Sequence, residues 1–158
     1  MEPAAGLSTD ATVRELLLLM PRLVGRAKRL GLPDSLRSLD LAPRHLSLLS
    51  SLLFDGPLNV SELAERLQVA PTTVSLLVSE LTAKGVLTRQ PDNADRRRHI
   101  IDISDGQRAA IHQWLAPGAR AWRRAVGPLS PEQRATFIAT LRAYEQAVSE
   151  AEPRDGPT

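Results

Sequence analysis

The chain has 158 residues, which is room for one domain of ordinary size with flanking helices and too few for two independent cores. Apolar residues make up 42% of it but aromatics only 3%, so the core must be built from Leu, Val, Ile and Ala, which favours helices; with no cysteine, disulfides, thiolate catalysis, cysteine zinc sites and thiol redox sensing are excluded together. The formal net charge is +2 and the pI about 9.6, and all but two of the 20 basic side chains are arginine, a donor fork suited to phosphates and base edges that GC-rich coding would also produce.

Residues 1–8 read as a frayed tail. From Thr9, apolar side chains recur at helical spacing (Val13, Leu16, Leu17, Met20, Leu23, Val24, Ala27, Leu30); Pro21 is predicted to kink this helix, and Gly31 and Pro33 to end it. Its apolar stripe is broader than a small domain can cover, so residues 9–40 are expected to be an N-terminal dimerisation helix and linker. The run Leu16 to Met20 is flanked by charges and falls far short of a membrane span of about 20 residues. No signal-peptide pattern precedes it, so the sequence reads as cytoplasmic and free of the membrane.

A second helix is expected from Pro43 to about Leu53, with Leu46, Leu49 and Leu53 inward and Gly56-Pro57 as its stop. Asn59 and Glu62 have the spacing of a capping box for a third, which buries Val60, Leu63, Ala64 and Leu67. After Gln68-Val69-Ala70, Pro71 opens a fourth, with Val74, Leu77, Val78 and Leu81 inward; the pair has the pattern of a helix-turn-helix. The segments "VLTRQ" and "RHIIDIS" are short and β-branched on either side of a Pro/Asp/Asn turn at Pro91 to Ala94, which predicts a hairpin. Ser104 with Gln107, and Ser130 with Gln133, mark the starts of two further helices, the first bent at Pro117-Gly118. Residues 151–158 read as a second tail.

The order is that of a mainly α protein with a small β-hairpin: a winged helix-turn-helix region, 41–104, flanked by the N-terminal helix and by C-terminal dimerisation helices, 105–150. Such a fold offers one helix to a major groove and one hairpin to the backbone or minor groove beside it. On the fourth helix, Thr72, Thr73, Ser75, Leu76, Ser79 and Glu80 are left facing outward. Pro71, Thr72, Thr73, Ser75 and Leu76 lie near its N-terminus, where hydroxyls can meet bases or phosphates and Leu76 a thymine methyl; ordinary polar cover of a helix start is the competing reading. Between Lys84 and His99, Lys84, Arg89, Arg96, Arg97 and Arg98 stand against Asp92 and Asp95, a local excess of three positive charges in a chain whose net charge is +2. A solvated turn does not need that excess, whereas salt-dependent phosphate contacts do. Arginine at such a tip can enter a narrow A·T-rich minor groove, and Asp95, repelled by phosphate, fits better as a support for a neighbouring arginine or for the turn.

The stretch "NVSELAERLQVAPTTVSLLVSELTAKGVLTRQPDNADRRRHIIDISDGQRA" resembles the MarR family of winged-helix transcriptional regulators, most specifically at Asp95, Arg96 and Arg97, which match the family's Asp-x-Arg wing signature. The resemblance implies a homodimer on pseudo-palindromic double-stranded DNA, acting as a ligand-responsive repressor of its own or neighbouring genes. It also implies that Arg97 is the minor-groove arginine, Asp95 its support, and Arg96 a more variable position. Many members carry a basic residue where Leu76 or Glu80 stands, an acid at Ser79, a serine cap at Ala70 and glycine at Gln68, so the readout of the recognition helix (71–84) does not carry over. Loss of a cap side chain costs on the order of 1 kcal/mol locally.

Many family members bind small aromatic or phenolic effectors, and such a ligand is expected here with no residue assigned to it. Trp114 and Trp122 could line a cleft but have the spacing of packing residues. His45, His99 and His112 are widely separated, so neither a metal nor another cofactor is expected, and each reads as a hydrogen-bonded surface or interface histidine. No nucleophile-base pairing or phosphate-binding loop suggests an enzyme. A winged-helix protein-interaction module without DNA binding is the alternative, motivated by the near-absence of positive charge on the fourth helix and the exposed Leu76.

Overall fold

In the computed structural model, which describes residues 6–151, Ser8 starts the first helix, α1 (Thr9–Lys28): its hydroxyl accepts the Ala11 N–H at 3.2 Å. Of the expected tails, residues 1–5 and 152–158 lie outside the described residues. Pro21 sits within α1, which continues past it to Lys28. No residue of α1 is buried, and Leu16, Leu17, Leu18, Leu19, Leu23 and Val24 are all exposed.

The stretch expected to be a plain linker contains a one-turn helix, α2 (Asp34–Arg37), whose Leu36 is fully buried. Four residues are too few to show a period, which is why α2 is invisible to pattern reading. The next helix, α3 (Pro43–Asp55), buries His45, Leu48, Leu49 and Leu52, while Leu46 and Leu53 are only half-buried. The buried face is thus turned from the expected one, because five leucines in eight residues fit several helical phases equally well.

A two-residue strand, β1 (Leu58–Asn59), leads into α4 (Val60–Leu67). Here the capping box forms: Asn59 Oδ1 accepts the Glu62 N–H at 2.9 Å, and Glu62 Oε2 accepts the Asn59 N–H at 2.8 Å. Gln68 then takes a left-handed conformation (φ 54°), as the position often held by glycine requires. Ala70 precedes α5 (Pro71–Ala83) without a side-chain cap. Gly85, at φ 72°, turns the chain into β2 (Leu87–Pro91), which pairs with β3 (His99–Ile103). Because β1 also pairs with β3, Leu58 opposite Ile101, the sheet is three-stranded in the order β1-β3-β2 and not the two-stranded hairpin expected.

Leu63, Val74, Val78, Leu81, Leu87, Ile101 and Ile103 complete the core with the α3 and α2 leucines. Ile111 of α6 (Asp105–Val126) is fully buried in it, with Ala110, Trp114 and Leu115 packed alongside, so the first half of α6 belongs to the winged-helix core. The chain divides into two compact units after Gly118. In the second, Ser130 and Gln133 cap α7 (Pro131–Ala151) reciprocally, at 2.8 and 3.2 Å, and Arg134 donates to the Val126 and Gly127 carbonyls at the end of α6. Trp122 packs on Phe137 with ring centroids 5.9 Å apart, whereas Ile138, Leu141, Tyr144 and Val148 of α7 are exposed. The fold is mainly helical with a small antiparallel sheet, a winged helix. Among the described residues no helix is long and apolar enough to cross a membrane.

Candidate nucleic-acid interface

With Val74, Val78 and Leu81 in the core, α5 turns Thr72, Thr73, Leu76 and Ser79 outward, and Leu76 is 73% exposed. Residues three and four apart share a face, so Thr72, Thr73 and Leu76 form one contiguous patch at the N-terminal end. Pro71 is exposed at the helix start, and Ser75 is half-buried on the flank.

Glu80, expected to be solvent-facing, is instead half-buried in a charged cluster. Arg44 Nη2 donates to both its carboxylate oxygens at 3.1 and 3.2 Å, and Lys84 Nζ donates to Oε1 at 3.3 Å and to the Asp40 carbonyl at 3.0 Å. His45 was expected at the surface or in an interface but is fully buried. Its Nδ1 accepts the Ala42 N–H at 3.0 Å, which leaves the proton on Nε2, 3.2 Å from Glu80 Oε2 and off the line of a well-aligned hydrogen bond. The imidazole thus supplies the reaching-back half of a capping box at the start of α3, while Ala42 has no side-chain acceptor to supply the other half, so no capping signature in the sequence marks this histidine. His45, Arg44 and Lys84 together lower the Glu80 pKa from 4.5 to about 2 against the opposing effect of burial. A depressed carboxylate stabilises the fold above its unfolded pKa and loses that contribution as pH falls through the folded one. The stability gap between the native chain and Glu80→Gln is therefore expected to close between about pH 5 and about pH 2 in urea titrations. A gap constant over that range would show that the cluster does not act through the Glu80 charge.

Strand alternation decides where the wing side chains go. Leu87, Ile101 and Ile103 face the core; Arg89 lies on the same side of β2 and reaches back to α5, donating from Nη2 to Ser79 Oγ at 3.0 Å. Ser79 was not among the expected site residues, because only its cross-element partner gives it a role. Thr88, Gln90, Ile100 and Asp102 face the other way and line a groove of about 160 Å³ with Asp105. Its two carboxylates, one of them paired with Arg108 at 2.8 Å, would repel an acidic ligand.

Pro91 is the last residue of β2, paired with His99, so the connection is 92–98 and not Pro91 to Ala94. Proline is tolerated there because β2 is an edge strand. Two aspartates build the loop: Asp92 Oδ1 accepts the Ala94 N–H at 2.9 Å and Asp95 Oδ1 accepts the Arg97 N–H at 3.0 Å, both turns that mimic backbone. Backbone bonds from Asp92 N–H to the Arg98 carbonyl and from Arg98 N–H to the Asp95 carbonyl, each 2.9 Å, close it. Asp95 thus touches Arg97 only through the main chain, and its nearest guanidinium is that of Arg98, at a loose 3.8 Å. The side chains of Arg96 and Arg97 are exposed and, among the described residues, have no acidic partner and no hydrogen bond to α5.

The MarR family model matches residues 41–99, the span from α3 through the wing. The chain is 39% identical over 75 residues to the HTH-type transcriptional repressor MdtR of Bacillus subtilis, a match covering 46% of this chain and 47% of MdtR, about half its length. Its fold is similar to the crystal structure of YusO from Bacillus subtilis (26% identity, TM-score 0.53, covering 89% of this chain and 99% of YusO). It is also similar to that of the PcaV transcriptional regulator from Streptomyces coelicolor in complex with its natural ligand (18% identity, TM-score 0.60, covering 91% and 99%), a likeness of fold alone. Residues 41–99, from α3 through the Asp-x-Arg wing, thus match the MarR family, and the fold along most of the chain is similar to that of YusO.

Proposed function

We propose that this protein binds pseudo-palindromic double-stranded DNA as a homodimer and represses its own or neighbouring genes until a small aromatic or phenolic effector changes the spacing of its two recognition helices. The observation that carries the reading is the wing: a hairpin tip stiffened by two aspartate turns, presenting the uncommitted guanidinium groups of Arg96 and Arg97 and bonded at its base to α5 through Arg89 and Ser79. In this reading Pro71, Thr72, Thr73, Ser75 and Leu76 enter the major groove. Arg97 enters the minor groove, Arg96 meets phosphate, Arg89 positions the wing, and Asp95 holds the turn.

The exposed apolar side chains of α1 and α7 support dimerisation through these two helices, the outer parts of the spans 9–40 and 105–150, since leaving that much apolar surface in water is unfavourable. The name of MdtR supports repression, and the ligand complex of PcaV supports an effector. Fluorescence anisotropy with duplex DNA from upstream of its own gene is expected to show binding that survives nonspecific competitor, with half-sites about one turn, 10 to 10.5 bp, apart. Binding abolished by competitor would favour a winged-helix protein-interaction module instead. Light scattering is expected to give a dimer, and a monomer at micromolar concentration would overturn the assignment of the terminal helices.

A further inference from the structure

The outward stripe of α5 runs through Thr72 and Thr73, Leu76, Ser79 and Glu80, and Ala83, and its two ends are differently committed. In the C-terminal half, the Glu80 carboxylate is taken up by Arg44 and Lys84 beside His45 and so is not available to a base edge, while the Ser79 hydroxyl accepts from Arg89 and keeps its own O–H, a donor that discriminates little between bases. In the N-terminal half there is no charged side chain. The commonest discriminating contacts in a major groove, arginine or lysine on guanine and carboxylate on cytosine, are thus missing from this helix. What remains is Leu76, 73% exposed with no apolar neighbour covering it, flanked on the same face by the hydroxyl and methyl groups of Thr72 and Thr73. Hydroxyls bond to any base and discriminate little. An isobutyl group beside two threonine methyls discriminates by what it takes out of water, and in the major groove the apolar group on offer is the thymine C5-methyl.

From this we infer that Leu76 is the specificity-determining residue, and that it selects thymine by methyl contact and not by hydrogen bonding; the inference rests on the DNA-binding reading above. Each half-site then carries at least one thymine under Leu76 whose identity is read through its methyl alone. Replacing that thymine by uracil leaves pairing and every hydrogen-bonding group unchanged and removes only the methyl, so affinity should fall about fourfold per buried methyl, as expected for one apolar carbon returned to water.

The test begins with selection of bound duplexes from a randomised pool by the full chain. The selected site is then resynthesised with deoxyuridine in place of each thymidine in turn, and every duplex is titrated with the native chain and with Leu76→Ala. The expected result is a loss of about fourfold at one or two half-site positions for the native chain, and no thymine-uracil difference at those positions for Leu76→Ala. Leu76 is outside the core and alanine is a good helix former, so the variant keeps its fold, which circular dichroism verifies. A selected site indifferent to uracil throughout, or a Leu76→Ala variant that keeps the full discrimination, overturns methyl readout while leaving DNA binding in place. If no sequence is selected, the DNA-binding reading itself falls, and this one with it.

Discussion

Arg97→Ala is expected to weaken specific DNA binding by roughly tenfold or more and to lower the slope of log affinity against log salt by about two per dimer, one for each wing. The size follows from what the substitution removes. The Arg97 guanidinium is exposed and has no acidic partner among the described residues, so its whole charge is available to the groove. What it leaves intact matters equally. The main chain at Arg97 is held by Asp95 Oδ1 at 3.0 Å, and the loop is closed by the bonds between Asp92 and Arg98 and between Arg98 and Asp95, none of which uses the Arg97 side chain. Losses in affinity therefore report the contact and not a collapsed turn. Anisotropy titrations from about 50 to about 200 mM salt measure both quantities, with light scattering to show that the dimer is unaltered. Unchanged affinity and slope would remove Arg97 from the interface.

Leu36→Ala is expected to lower the unfolding free energy by about 2–5 kcal/mol, the range for emptying a fully buried leucine site. Leu36 has no exposed surface although it sits on a single helical turn, and the other side-chain contact of that turn, Arg37 with Asp34 at 3.1 Å, is solvent-exposed and worth little. Within the turn itself Leu36 is the one buried side chain, with Leu32 and Leu39 packed against the core on either side. Urea unfolding should show a lower midpoint with an unchanged slope. A loss below about 1 kcal/mol would mean that the 30–40 segment is the passive linker its sequence suggests and that the core closes without it.

The amphipathic helices α4 and α5 are readable from periodicity, because their leucines and valines, Leu76 excepted, fall at one phase and explicit start signals stand at Asn59 and Pro71. Two short elements, α2 and β1, are not, since four and two residues hold no period. The phase of α3 was misread for the opposite reason: leucine is so frequent there that the pattern is degenerate, and burial of His45 settles it. Within the candidate site, the concentration of arginine at the hairpin was plain from order alone. The partners of those arginines were not, because Ser79 and Arg89 are ten residues apart and Arg44 and Glu80 thirty-six, and only packing brings them together.

Composition, apolar periodicity and capping signals are local properties, and they were enough to specify a cysteine-free, leucine-built winged helix with a basic wing. Which polar side chains stay free to meet a partner is a property of distant contacts. Glu80 looks from its position like a solvent-facing charge on the recognition helix, yet Arg44, His45 and Lys84 withdraw it. Arg89 looks like one more wing cation, yet strand alternation turns it back onto Ser79. Of the proposed recognition residues, the tertiary arrangement leaves Pro71, Thr72, Thr73, Ser75 and Leu76 on the helix and Arg96 and Arg97 on the wing uncommitted, because the Glu80 charge is already paired inside the protein and the Arg89 guanidinium, though still charged, is tied to Ser79.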